Sequence, residues 1–170
     1  GDVFDIAASA DWSAVFAASF IWGTGRIGYG PHRYRQIVER TSGRLDEMLT
    51  AAVQATHSDV ITGYAQFYGG HDAKHRAAAN TEGWSRMDGF GPAFFTKFLY
   101  FTTPEALILD NVLARRVHDL AGVPHLVAGR GRSVAWSPYR YAVYLKWMQQ
   151  TARALDAAPD ELELTLFRLP

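Results

Sequence analysis

Apolar residues recur at helical spacing along almost the whole of this 170-residue chain, and no two stretches alternate as a pair of strands would. That pattern commits the chain to helix packing. "DWSAVFAASFIW" opens on an N-cap candidate, Asp11, and is expected to end at Gly23. A second helix is expected from Pro31 through "HRYRQIVER", and two more over "TSGRLDEMLTAAVQATH" and "SDVITGYAQFYGG", the latter starting at Ser58 or Asp59 and stopped by Gly69 and Gly70. "HDAKHRAAA" reads as a short polar helix. "GPAFFTKFLYF" and "DNVLARRVHDLAG" follow, joined by an eight-residue connection containing Pro104, with Gly122 closing the second. "SPYRYAVYLKWMQQTARALDAA" makes the longest helix, with Pro138 in its first turn. The tail "ELELTLFRL" alternates like a strand, but a lone strand has no partner, and Pro159, Asp160 and Glu161 form a good helix start. The expectation is an all-α chain of about nine helices, one domain over residues 1–170.

Composition supports a folded globule, since 48% hydrophobic and 14% aromatic residues are ample for one core. Seventeen basic residues balance seventeen acidic ones, so total charge points to no partner. Residues 84–153, however, hold nine Lys and Arg against four acids. Without cysteine there is no disulfide, thiolate metal site or cysteine nucleophile, which suits a reducing cytoplasm. No apolar run approaches a membrane span, and "GDVFD" is no signal peptide. Its lack of a methionine leaves room for native residues ahead of it.

Two motifs invite chemistry and lack its context. "WGTGRIG", residues 22–28, has the glycine spacing of a dinucleotide-binding loop, with Asp46 downstream, yet neither a preceding strand nor a βαβ unit is legible. A glycine-rich turn between helices fits better. His71 and His75 lie one helical turn apart, but with no Glu after His71 and no third ligand they read as a solvated face.

"MDGFGPAFFTKFLYF" is more informative. Gly89 and Gly91 permit a tight turn, Pro92 suits the first helical position, and a turn of this kind aims backbone N–H groups outward, toward a phosphate oxygen for instance. Phe94, Phe95, Phe98 and Leu99 cover one broad side of the helix, and Ala93, Thr96, Lys97 and Tyr100 share the rest. Two placements suit Lys97: a stem packed along Phe94 and Phe101 with the ammonium in water, or an amine in a cleft where desolvation makes it nucleophilic. Periodicity favours the first. Asp110 follows "ALIL" and directly precedes a helix, as an N-cap would, and a carboxylate held there stays ionised.

With these stretches in view, the chain resembles the helix-hairpin-helix DNA glycosylases of base-excision repair, and among them the bacterial proteins of 8-oxoguanine glycosylase fold. The resemblance rests on "WGTGRIG", "GPAFFTKFLYF", "LILDNVLARRV", "YRYAVYLKWM" and "ELELTLF". In the main superfamily pattern the lysine stands two residues after the second glycine, a place held here by Ala93. Lys97 comes a turn later, which looks more like the archaeal 8-oxoguanine branch. The resemblance implies a glycosylase with AP-lyase activity that removes oxidised guanine from a damaged duplex. Lys97 would be the nucleophile and Asp110 its acidic partner, and Gly89, Phe90 and Gly91 would grip the DNA backbone. Phe101 would stack on the flipped base, with Trp147 as a second plate and Trp136, Tyr141 and Tyr144 as substitutes. It implies no metal or other cofactor, no membrane, and a cytoplasmic monomer. Two other functions stay open: a DNA-binding hairpin module without chemistry, and a helical protein with an apolar ligand cavity.

Overall fold

The computed structural model describes residues 3–25, 29–70, 84, 89–128, 134 and 136–169. Among them are nine α-helices and no strand: α1 (Val3–Ala7), α2 (Trp12–Thr24), α3 (Tyr29–Arg40), α4 (Leu45–Ser58), α5 (Val60–Tyr68), α6 (Pro92–Thr102), α7 (Asn111–Ala121), α8 (Pro138–Ala154) and α9 (Pro159–Arg168). The all-α expectation holds, with a different set of helices behind it. The helix expected over "HDAKHRAAA" lies outside the described residues, as do His71 and His75. The five-residue α1 is too short to show a period in the sequence.

Capping chemistry sets most boundaries. Asp11 accepts the Ala14 N–H at 2.9 Å to start α2, and Asp59 accepts the Thr62 N–H at 2.7 Å to start α5. Gly69 and Gly122 end α5 and α7 in the left-handed conformation, with φ of 99° and 62°. Helix α2 does not stop at Gly23. It continues to Thr24, and Gly25 turns the chain at φ 54°. The tail is helical, and the Glu161 carboxylate accepts the Ala158 N–H at 3.0 Å.

Helix α6 is the centre of the packing. It lies against α1, α2, α4 and α5, while α8 packs on α5 and α9, and α7 on α9. Phe95, Phe98, Leu99 and Phe101 are buried, as expected of a helix apolar nearly all round. Phe16, Phe67, Trp84, Phe90 and Phe95 form a continuous aromatic core, with centroids from 5.1 Å for Phe67–Trp84 to 6.0 Å for Phe16–Trp84. At the crossing of α4 and α5, a Cβ on Gly63 would lie 2.7 Å from the Thr56 Cα, so only glycine allows this approach. Among the described residues no helix is long and apolar enough to cross a membrane.

The connection from Thr103 to Asp110 is the least ordinary piece of backbone. Ala106, Leu107, Ile108 and Leu109 are buried without belonging to a helix, so their peptide groups need partners from elsewhere. Side chains supply them. The Tyr141 hydroxyl donates to the Leu107 carbonyl at 2.7 Å and accepts the Leu107 N–H at 3.2 Å. The Tyr144 hydroxyl donates to the Ile108 carbonyl at 2.7 Å, and Glu163 Oε2 accepts the Ile108 N–H at 2.6 Å. Thr96 Oγ1 accepts the Leu109 N–H at 3.1 Å while donating to the Pro92 carbonyl at 2.6 Å. Three helices thus hold the segment that delivers Asp110.

Candidate active site

Asp110 is the N-cap of α7 and also the partner of Lys97, one carboxylate oxygen serving each role. Oδ1 accepts the N–H groups of Val112 at 2.9 Å and Leu113 at 3.1 Å. Oδ2 lies 3.6 Å from Lys97 Nζ. A capping aspartate is held by two backbone donors and the start of a helix, so its second oxygen presents charge in a fixed direction.

Lys97 is only 8% exposed. Of the two placements compatible with the sequence, the water-facing ammonium is excluded. Its side chain runs back along α6, as helical side chains do, and the amine donates to the Ala93 carbonyl at 2.7 Å. Lys97 therefore returns its nitrogen to the level of Ala93, one turn earlier. Close approach from α2 walls the stem on another side: a Cβ on Gly23 would be 2.6 Å from Lys97 Cδ and 3.2 Å from Cε. The first glycine of "WGTGRIG" thus makes room for the lysine, not for a nucleotide. The Phe94 ring centroid lies 5.9 Å from Nζ.

Burial pushes the Lys97 pKa down, and the neighbouring Asp110 carboxylate, with a smaller contribution from Glu163, pulls it back. Desolvation wins, which raises the share of neutral amine at neutral pH. Glu163 is 6% exposed, and burial raises its carboxyl to about 8 despite the hydrogen bond from Ile108. Tyr144 is pushed well above its ordinary value, mainly by burial. Among the described residues no group of three metal-ligating side chains exists.

The other expected site residues divide. Gly89 is exposed at φ 79°, Gly91 caps α6, and a Cβ on Gly91 would meet nothing within 4 Å among the described residues. The Phe90 side chain is core, leaving only its backbone for any contact at this turn. Phe101 is 7% exposed, with Phe4 and Trp22 edge-on at 4.9 and 5.4 Å. Trp147 is half-buried on α8, packed against the core, and joins none of these contacts among the described residues. Trp136, Tyr141 and Tyr144 are not free plates. All three are buried; Trp136 Nε1 donates to the Leu126 carbonyl at 2.7 Å and both tyrosine hydroxyls hold residues 107 and 108.

Four contributors had no role in the site assigned from sequence: Gly23, Thr96, Glu163 and Arg33. The Arg33 guanidinium carbon sits 5.0 Å from the centre of the Phe94 ring, and its Cγ and Cδ lie 3.2 Å from where a Gly89 Cβ would be, which brings a cation to the turn. Glu163 left a trace in the sequence, since it shares with Leu162 and Leu166 the face that α9 buries. Arg33 and Thr96 left none.

A helical protein that withdraws a lysine amine from water and sets it against a helix-capping carboxylate has the parts of an amine-nucleophile site. The chain belongs to the family described as "Putative 8-oxoguanine DNA glycosylase OGG-like protein", whose family model matches residues 1–167. Comparison with curated proteins and with solved structures gives no match. Membership supports an 8-oxoguanine-glycosylase-like function with DNA as the substrate.

Proposed function

We propose that this chain is a DNA glycosylase with AP-lyase activity that excises 8-oxoguanine, with Lys97 as nucleophile and Asp110 as its electrostatic partner. The observation that carries the reading is the 3.6 Å separation of the Lys97 amine and the Asp110 carboxylate in a largely buried setting. The target nucleotide leaves the duplex before reaction, because its glycosidic carbon is inaccessible in the stack. As the glycosidic bond loosens, the sugar gains positive charge, which the Asp110 carboxylate stabilises. The neutral amine of Lys97 attacks the anomeric carbon, the base departs with the bonding electrons and takes up a proton, and the nitrogen gives up a proton. Opening of the sugar ring yields a Schiff base. Loss of a C2′ proton then expels the 3′ phosphate by β-elimination.

The turn at Gly89, Phe90 and Gly91 supports backbone binding, with Arg33 as the nearby cation. Phe101, one turn beyond Lys97, is the first stacking surface in this scheme, and Trp147 the second. Borohydride trapping with an 8-oxoguanine duplex tests the assignment: a covalent adduct is expected from the wild type and none from Lys97→Gln. An adduct that persists in that variant excludes Lys97 as the nucleophile. Salt-sensitive duplex binding without release of any base supports the non-catalytic hairpin module instead.

A further inference from the structure

Glu163 is buried, chargeable and unused by the chemistry above. Its place in the fold gives it a task. Residues 107–109 belong to no helix and are sealed from water, and Asp110 takes its position from them. Within that run the Ile108 N–H meets a carboxyl oxygen of Glu163 at 2.6 Å, reaching across from α9. The flanking amides use hydroxyls, of Tyr141 for Leu107 and of Thr96 for Leu109. Leu162 and Leu166 anchor α9 on either side of Glu163, so the carboxyl is presented by a packed helix.

We propose that Glu163 is a positioning residue for the reaction: by accepting the Ile108 N–H it fixes the two-residue lead into Asp110, and so holds the Asp110 carboxylate opposite Lys97. The inference rests on the glycosylase reading for its consequence in catalysis, and on geometry alone for the placement of Asp110. An isosteric amide keeps an acceptor oxygen for Ile108, whereas an aliphatic side chain leaves that buried N–H unpaired, and the segment shifts to satisfy it. Charge enters separately. Glu163 is within electrostatic reach of Lys97 and Tyr100 on α6, Asp110 before α7, Tyr141 and Tyr144 on α8, and Asp160 on its own helix. Glu163→Gln and Glu163→Leu both lack an ionisable group, so a difference between them does not come from charge.

The experiment compares wild type, E163Q and E163L in two assays. In single-turnover borohydride trapping on an 8-oxoguanine duplex, E163L is expected to lose roughly ten- to a hundredfold, and E163Q to stay within about threefold of wild type. Reductive methylation of Lys97 by formaldehyde and cyanoborohydride, followed by mass spectrometry as pH is raised, reads the amine without DNA. With Asp110 displaced, the Lys97 midpoint in E163L falls below that in E163Q. Equal behaviour of E163L and E163Q in both assays overturns the proposal. A wild type that forms no adduct removes the reading of Lys97 as nucleophile, and the methylation midpoints then decide the role of Glu163 by themselves. If E163L does not fold, NMR of the wild type decides: the Ile108 amide proton should follow the Glu163 titration near pH 8 with the Asp110 carboxyl signal moving alongside, and a flat Ile108 amide overturns the proposal.

Discussion

Gly23→Ala is expected to separate stability from activity. Gly23 is a helical residue of α2, and an added Cβ would sit 2.6 Å from Lys97 Cδ. Ordinary carbon contact begins near 3.5 Å, so the lysine stem must retreat by about 0.9 Å. The stem is flexible, and an altered rotamer costs about 0.5–1.5 kcal/mol. Alanine in place of glycine inside a helix returns about 1 kcal/mol. The two nearly cancel, so urea unfolding should place the variant within about 1 kcal/mol of wild type. The amine does not escape so lightly. It starts 2.7 Å from the Ala93 carbonyl and 3.6 Å from Asp110 Oδ2, and its stem is what moves. Misplacement of a reacting group by about 1 Å costs on the order of a hundredfold. Single-turnover borohydride trapping on an 8-oxoguanine duplex should show that loss. A folded Gly23→Ala protein that forms adduct at the wild-type rate would refute the reasoning, because the lysine would then tolerate displacement.

Asp110→Asn keeps an oxygen for the Val112 and Leu113 N–H groups, so thermal unfolding should change by no more than about 1 kcal/mol. The same change removes the charge facing Lys97, lowers the pKa of the amine further, and should reduce adduct formation by about a hundredfold or more. Gly63→Ala meets Thr56 at the crossing of α4 and α5 from its Oγ1 back to its Cβ and Cα, at 2.6 and 2.7 Å, which no side-chain rotation clears, and chemical denaturation should report a loss of about 1–3 kcal/mol. The pH dependence of stability should carry the mark of Glu163, whose carboxyl is raised from 4.5 to about 8 in the folded protein. The unfolded chain releases this proton first, so the contribution is complete below about pH 4.5, declines as pH rises, and is gone above about pH 8. Glu163→Gln should abolish that slope, which amounts to something on the order of 5 kcal/mol across the window; parallel stability profiles for the two proteins would contradict it.

The parts of the site closest together in sequence were the legible ones. Asp110 announced itself as a cap by standing between an apolar run and a helix, and Pro92 after Gly91 announced the start of α6. Periodicity, however, gave the wrong placement for Lys97, because a helical wheel records which way a residue points and not whether another helix covers it. What covers Lys97 is Gly23 of α2, a residue whose signal is the absence of a side chain. The tyrosines of α8 were legible only as rings. Their hydroxyls reach backbone groups 34 and 36 residues away, and Glu163 reaches 55. No local pattern encodes such pairings. They become visible only when the buried connection is asked where its peptide hydrogen bonds go.

The Thr96 hydroxyl stands next to Lys97 in the chain, gives its hydrogen to Pro92 and takes one from Leu109, next to Asp110. A single oxygen atom therefore ties the helix bearing Lys97 to the segment that delivers Asp110. On the other side of Lys97 the Phe4 and Trp22 rings, each more than half uncovered, rest edge-on against Phe101, so any ring that is to stack on Phe101 has first to displace them.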